Sequence, residues 1–168
     1  IFELTPSEHG YHKLKTLAQA IGTWERVYEQ IIKTVSTKPN NNLLMRIYLI
    51  ERDWDAAWGM VASIPSRSKP SEAWGYRPRL PEFDLVVAEA SYLFRPQRAI
   101  PVLRNYVYDY IEQRNRPAYV EAVRLISKLR DIYDQEDDIE TWGKLIDDLR
   151  KTYKTLRALH DELNKAGF

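Results

Sequence analysis

Three histidines, His9, His12 and His160, are the chain's only imidazoles, and it has no cysteine. Zinc centres are built from clusters of thiolates, imidazoles and carboxylates. His9 and His12 stand three apart, which places both on one face of a helix. Only Glu8 lies nearby to add a ligand. The pair reads as polarity of a helix surface, and His160, on an apolar seam, as a packing residue. No metal site and no cofactor is expected. The run Asp134-Gln135-Glu136-Asp137-Asp138-Ile139-Glu140 has the charge of a cation loop without its form. An EF-hand loop needs alternate ligands over about 12 residues with a glycine at the bend. These acids suit a helix start instead, with Asp137 or Asp138 as the cap. The sequence also lacks a nucleophile elbow, a phosphate loop, paired catalytic carboxylates and a Ser–His spacing. Neither catalysis nor a small-molecule substrate is expected.

Side chains suited to holding macromolecules are more plentiful. Arg67, Lys69, Trp74, Tyr76, Arg77 and Arg79 interleave cations with aromatics. That mixture dominates interface hot spots, and it also stacks bases and neutralises phosphates. Pro70, Pro78 and Pro81 keep the segment out of a regular helix. These side chains are therefore read as an external contact, the competing account being that Trp74 and Tyr76 plug the end of a helix pair. Arg95, Arg98, Arg104, Arg114 and Arg116 open a second basic stretch. It runs on through Arg124, Lys128 and Arg130, against only Asp109, Glu112 and Glu121. It is read either as cationic helices matched internally by the acidic last helix and its leading turn, or as a phosphate-binding surface.

Helices must position these groups. Apolar residues recur at spacings of three and four, and no strand-like alternation is present. Thr5-Pro6-Ser7-Glu8 reads as a capped start with Thr5 as N-cap. Tyr11, Leu14, Leu17, Ala18 and Ile21 follow, and Gly22 stops that helix. Thr23 caps the next, through Trp24, Val27, Ile31 and Val35. A third helix carries Leu44, Ile47, Tyr48 and Ile50, and a fourth, capped by Asp53, carries Trp54, Ala57, Trp58, Val61 and Ile64. Residues 65–81 form a Pro-rich basic loop or hinge between two helical halves. Four more helices are expected: 82–92, one from Pro96 with Pro101 inside, 117–133, and a long last one from Trp142 to Leu163. Short connections force antiparallel neighbours. The expected fold is all-α: about eight helices in stacked antiparallel pairs, a tetratricopeptide-like α–α superhelix without a strict period. Small residues at Ala57, Ala88, Ala99 and Ala122 would let helices approach closely. The expected core includes Leu17, Trp24, Ile47, Ala57, Ala99, Leu103, Ala122, Leu129, Leu149 and Leu156.

The 168 residues suffice for one helical-repeat domain over 1–168, and the formal net charge of +1 favours neither a polyanion binder nor an acidic tail. No apolar run reaches the ~18 residues of a membrane span, so no membrane partner is expected. The absence of cysteine fits a reducing, cytoplasmic setting. With no initiator Met and no signal-peptide pattern, the chain is read as a fragment of a longer protein.

Several clusters resemble the C-terminal helical region of SWIM zinc-finger proteins. They are Tyr11 with Leu17, Ala20, Gly22, Trp24 and Arg26; Ile47-Tyr48-Leu49 with Trp54, Ala56 and Ala57; Pro96-Gln97-Arg98-Ala99-Ile100; Arg114-Asn115-Arg116-Pro117-Ala118-Tyr119 with Ala122; Leu129-Arg130-Asp131-Ile132-Tyr133 with Trp142, Leu149 and Arg150; and the segment from Ala158 to Gly167. The family's Cys-x-Cys and Cys-x-His motif is absent from this chain, so nothing of the finger's own chemistry transfers. The resemblance implies an α–α superhelix beside such a finger, serving as an interaction module. An unidentified protein partner is the leading expectation, and a nucleic-acid-binding accessory role is the alternative.

Overall fold

A computed structural model describes residues 7–37, 41–63 and 83–168. Among them are nine α-helices and no strand. These are α1 (Glu8–Ala20), α2 (Trp24–Ser36), α3 (Asn41–Glu51), α4 (Trp54–Ser63), α5 (Phe83–Ser91), α6 (Pro96–Glu112), α7 (Arg116–Gln135), α8 (Ile139–Thr152) and α9 (Arg157–Lys165). The chain divides into two compact units, Ile1–Phe83 and Asp84–Phe168.

One connector is used four times. A residue with positive φ stands directly before the first residue of the next helix's cap. The four are Gly22 (φ 68), Arg52 (φ 57), Arg114 (φ 52) and Asp137 (φ 56), followed by Thr23, Asp53, Asn115 and Asp138. The left-handed residue ends one helix and the short polar residue starts the next. Thr23, Asp53 and Asp138 each donate their backbone N–H to a carbonyl five residues back, at 2.9 Å. The side chains of Asp53, Asn115 and Asp138 accept from the N–H groups of Ala56, Ala118 and Thr141 at 3.0–3.1 Å; Thr23 makes no such bond. So tight a turn folds each helix back antiparallel to the one before it, joining α1 to α2, α3 to α4, α6 to α7 and α7 to α8. Asn115→Ala should therefore destabilise the second unit by about 1 kcal/mol. A melting curve indistinguishable from that of the parent would show that the Ala118 N–H needs no side-chain acceptor.

The first helix starts later than the sequence suggested. Ser7 is its N-cap and accepts from the Gly10 N–H at 3.2 Å, with Glu8 already helical. Thr5 lies outside the described residues. In the first unit α1 packs on α2 and α3, and α3 on α4. Tyr11, Ile31, Val35, Leu43 and Ile47 form the centre, with Trp24, Val27, Tyr28 and Ile50 against them.

In the second unit α7 is the hub, in contact with α6, α8 and α9. It buries Ala118, Tyr119, Ala122, Val123, Leu125, Ile126, Leu129, Ile132 and Tyr133, an apolar surface too wide for one neighbour. Ala99 and Ala122 are fully buried where α6 and α7 pair, as small residues at a close crossing should be.

The last helix is corrected. One helix from residue 139 to 165 would run roughly 40 Å, against roughly 30 Å for α7, leaving its final turns nothing to pack on. The chain breaks at 153–156 instead. Tyr153 ends α8, Leu156 is the half-buried N-cap of α9, and the Leu156 N–H donates to the Tyr153 carbonyl at 2.9 Å. Leu145 and Leu149 of α8 and Leu159 and Leu163 of α9 are all buried. Among the described helices the longest is α7. Of the expected core, Leu17 is overturned: it is 65% exposed. It lies about 120° around α1 from Tyr11, on which the buried face is centred. Trp24 is half-buried at the edge of the first core.

Candidate functional site

Arg67, Lys69, Trp74, Tyr76, Arg77 and Arg79 lie outside the described residues. The basic stretch is described, and most of it meets carboxylates. Arg116, the first residue of α7, donates from Nε to Glu162 of α9 at 2.8 Å. Lys165 reaches the same Glu162 oxygen at 2.9 Å. Hydrogen bonds from Lys165 and Arg116 hold this carboxyl below the usual carboxylate range. Arg124 of α7 bridges two carboxylates, Glu89 of α5 and Glu121 one turn back. The hydrogen bond to Glu89 is the main reason its pKa is raised. Lys128 lies 3.9 Å from Glu89 and 4.7 Å from the centre of the Tyr92 ring. Arg130 pairs with Asp134 at 3.5 Å, and Arg114 sits 3.9 Å from Glu112. Arg95 caps α6 and donates to the Phe94 carbonyl at 3.0 Å.

Arg98 and Arg104 differ. Both are exposed on α6, and among the described residues neither has a carboxylate within ion-pair distance. Six residues apart, they point about 120° from each other around the helix. The basic stretch is therefore not one positive stripe: it is mainly a set of ion pairs that tie α5, α7 and α9 together, with two separate cations on α6.

The other candidates also settle into local roles. His160 places Nε2 3.1 Å from the Tyr153 carbonyl, bridging the break between α8 and α9. Asp138 caps α8, and the hydrogen bonds from Thr141 hold its carboxyl below the usual range. Among the described residues no group of three His, Cys, Asp or Glu is placed to hold a metal ion. His9 and His12 are exposed on α1, where with Lys13, Thr16 and Leu17 they line a shallow open groove.

One polar constellation escaped the sequence reading. The Tyr11 hydroxyl, fully buried, donates to Glu51 Oε1 at 2.6 Å. Lys15 Nζ reaches the same oxygen at 2.6 Å and lies 5.5 Å from the centre of the Trp24 ring. Trp24 in turn meets Tyr11 edge-on and Tyr28 at a tilt. This knot pins the end of α3 to α1. Glu51 is 40 residues from Tyr11, so no local spacing could announce it.

The same knot makes stability depend on alkaline pH. Burial, then the bond to Glu51, pushes the Tyr11 phenol far above its ordinary value. Burial, then the Asp53 charge, pushes Tyr28 up to about 12. An unfolded tyrosine ionises near pH ~10. Above that the unfolded chain sheds protons that the folded chain keeps, so stability is complete below about pH 10 and falls as pH rises toward 12. Tyrosinate absorbance from these rings should rise together with loss of helix. Their full ionisation in a chain whose circular dichroism is unchanged would contradict this burial.

No protein-family model matches the chain, and no solved structure matches it. Over 70 residues it is 40% identical to an uncharacterized protein of Bacillus subtilis (strain 168), YwqB. That match takes in 42% of this chain and 13% of the relative, so the shared segment is a small part of the longer protein.

Proposed function

We propose that this chain is a non-catalytic, protein-binding scaffold, a tetratricopeptide-like helical region accessory to a zinc finger carried elsewhere. One observation carries the preference for protein over nucleic acid. Among the described residues, the cations of the basic stretch are mostly held by the chain's own carboxylates, whereas large apolar side chains such as Leu17 and Val120 stand exposed on helices and Ile21 at the end of α1. Cations already paired release few counterions on meeting a polyanion. Exposed apolar side chains on a rigid helical frame gain by being covered. The zinc-finger association rests on the resemblance of the helical clusters alone. The test is capture on the immobilised chain from a lysate, with and without nuclease. The scaffold reading expects the same proteins retained after nuclease treatment and at raised salt. Loss of all retained protein on nuclease treatment would favour the nucleic-acid accessory role.

A further inference from the structure

We infer that the outer face of α1 docks an acidic amphipathic helix; this rests on the scaffold reading and names the partner's chemistry. His9, Lys13 and Leu17 follow one another at intervals of four, so they form a single ridge along α1, and Ile21, the C-cap, follows at the same interval with its N–H donating to the Leu17 carbonyl. His12 and Thr16 flank it and make the groove. From His9 to Leu17 the ridge is roughly 12 Å long, comparable to the roughly 10 Å that a docked helix spans between anchors at i and i+7. Leu17 is 65% and Ile21 73% exposed. The opposite side of α1 is already occupied, with Tyr11 and Ala18 buried in the first unit.

Charge selects the occupant. Lys13 has no carboxylate within ion-pair distance among the described residues. Glu8 is the only acid on α1, and Arg46 engages it. The ridge thus runs from cationic, at Lys13, to apolar, at Leu17 and Ile21. A helix with an apolar stripe flanked by carboxylates satisfies both ends. A basic helix meets Lys13 with like charge, and a phosphate backbone leaves Leu17 and Ile21 uncovered.

The probe is a labelled peptide of about 20 residues, long enough to hold helix in water when rich in alanine, with leucine at i, i+3, i+4 and i+7, a few glutamates flanking that stripe and alanine elsewhere. A second peptide carries lysine for every glutamate. Binding to the intact chain is read by fluorescence anisotropy. The acidic peptide should saturate and bind at least about tenfold tighter than the lysine peptide. Leu17→Glu and Ile21→Glu should each weaken it by about tenfold or more with unchanged melting, since both sites are exposed. Lys13→Glu should shift the preference toward the lysine peptide. If Leu17→Glu disturbs folding, Leu17→Ser and the charge reversal at Lys13 carry the same test. Equal binding of the two peptides, binding indifferent to Leu17, or sedimentation showing a Leu17-dependent dimer would each overturn the inference. If neither peptide binds while lysate proteins are still captured after nuclease treatment, this docking site is wrong and the scaffold reading stands.

Discussion

Leu129→Ala is expected to destabilise the second unit by about 2–5 kcal/mol, the largest effect of any single substitution considered. Leu129 is fully buried near the middle of α7, the helix on which α6, α8 and α9 all pack. Ile126, Ile132 and Tyr133 of the same helix are also buried, so a cavity there lies in a close-packed interior that relaxes only in part. Leu129→Met nearly conserves volume and should cost less than about 1.5 kcal/mol. Urea unfolding monitored by circular dichroism gives both values. A loss below about 0.5 kcal/mol for the alanine would place Leu129 at a surface and dismantle the arrangement around α7.

Glu51→Ala is expected to cost the first unit about 1–3 kcal/mol. The lost side chain accepts from both the buried Tyr11 hydroxyl and Lys15. Removing it leaves a phenol hydroxyl inside the core with no acceptor, which is more harmful than removing both partners. Tyr11→Phe in the Glu51→Ala background should recover part of the loss, and the cycle of four proteins should show clear coupling. Glu51→Gln keeps an acceptor and should fall between the two. Strict additivity of the Tyr11 and Glu51 effects would mean that the bond contributes nothing to the folded chain.

Helix termini were the most legible feature, because they are written in local chemistry. Gly22, Asp53 and Asn115 stand in the turns where their types placed them, and Asp138 is the cap that the acidic run offered. Arg52 and Arg114 also take positive φ in such turns, without a residue type that advertises it. Pairing was legible through connection length. Facing was less so. The first helix carries two apolar ridges, one through Tyr11 and Ala18 and one through Leu17 and Ile21, and periodicity cannot say which turns inward. The break between α8 and α9 was invisible for a related reason. The three-and-four spacing of apolar residues continues across 153–156, and only the length of α7 requires the fold-back. Of the candidate site, the carboxylates that meet the basic stretch, such as Glu162 with Arg116 at 46 residues' separation, are set by tertiary packing, and sequence showed only that cations outnumbered acids locally.

The preference for proteins over nucleic acids is tested most directly by titrating labelled DNA and RNA with the chain at several salt concentrations. Each neutralised phosphate contributes about −0.9 to the slope of log affinity against log salt for duplex DNA. Arg98 and Arg104, both on α6, have no ion pair among the described residues, and they face apart. The scaffold account therefore predicts weak binding with a slope no steeper than about −2. Tight binding with a slope of about −5 or steeper would reveal a continuous cationic surface and contradict it.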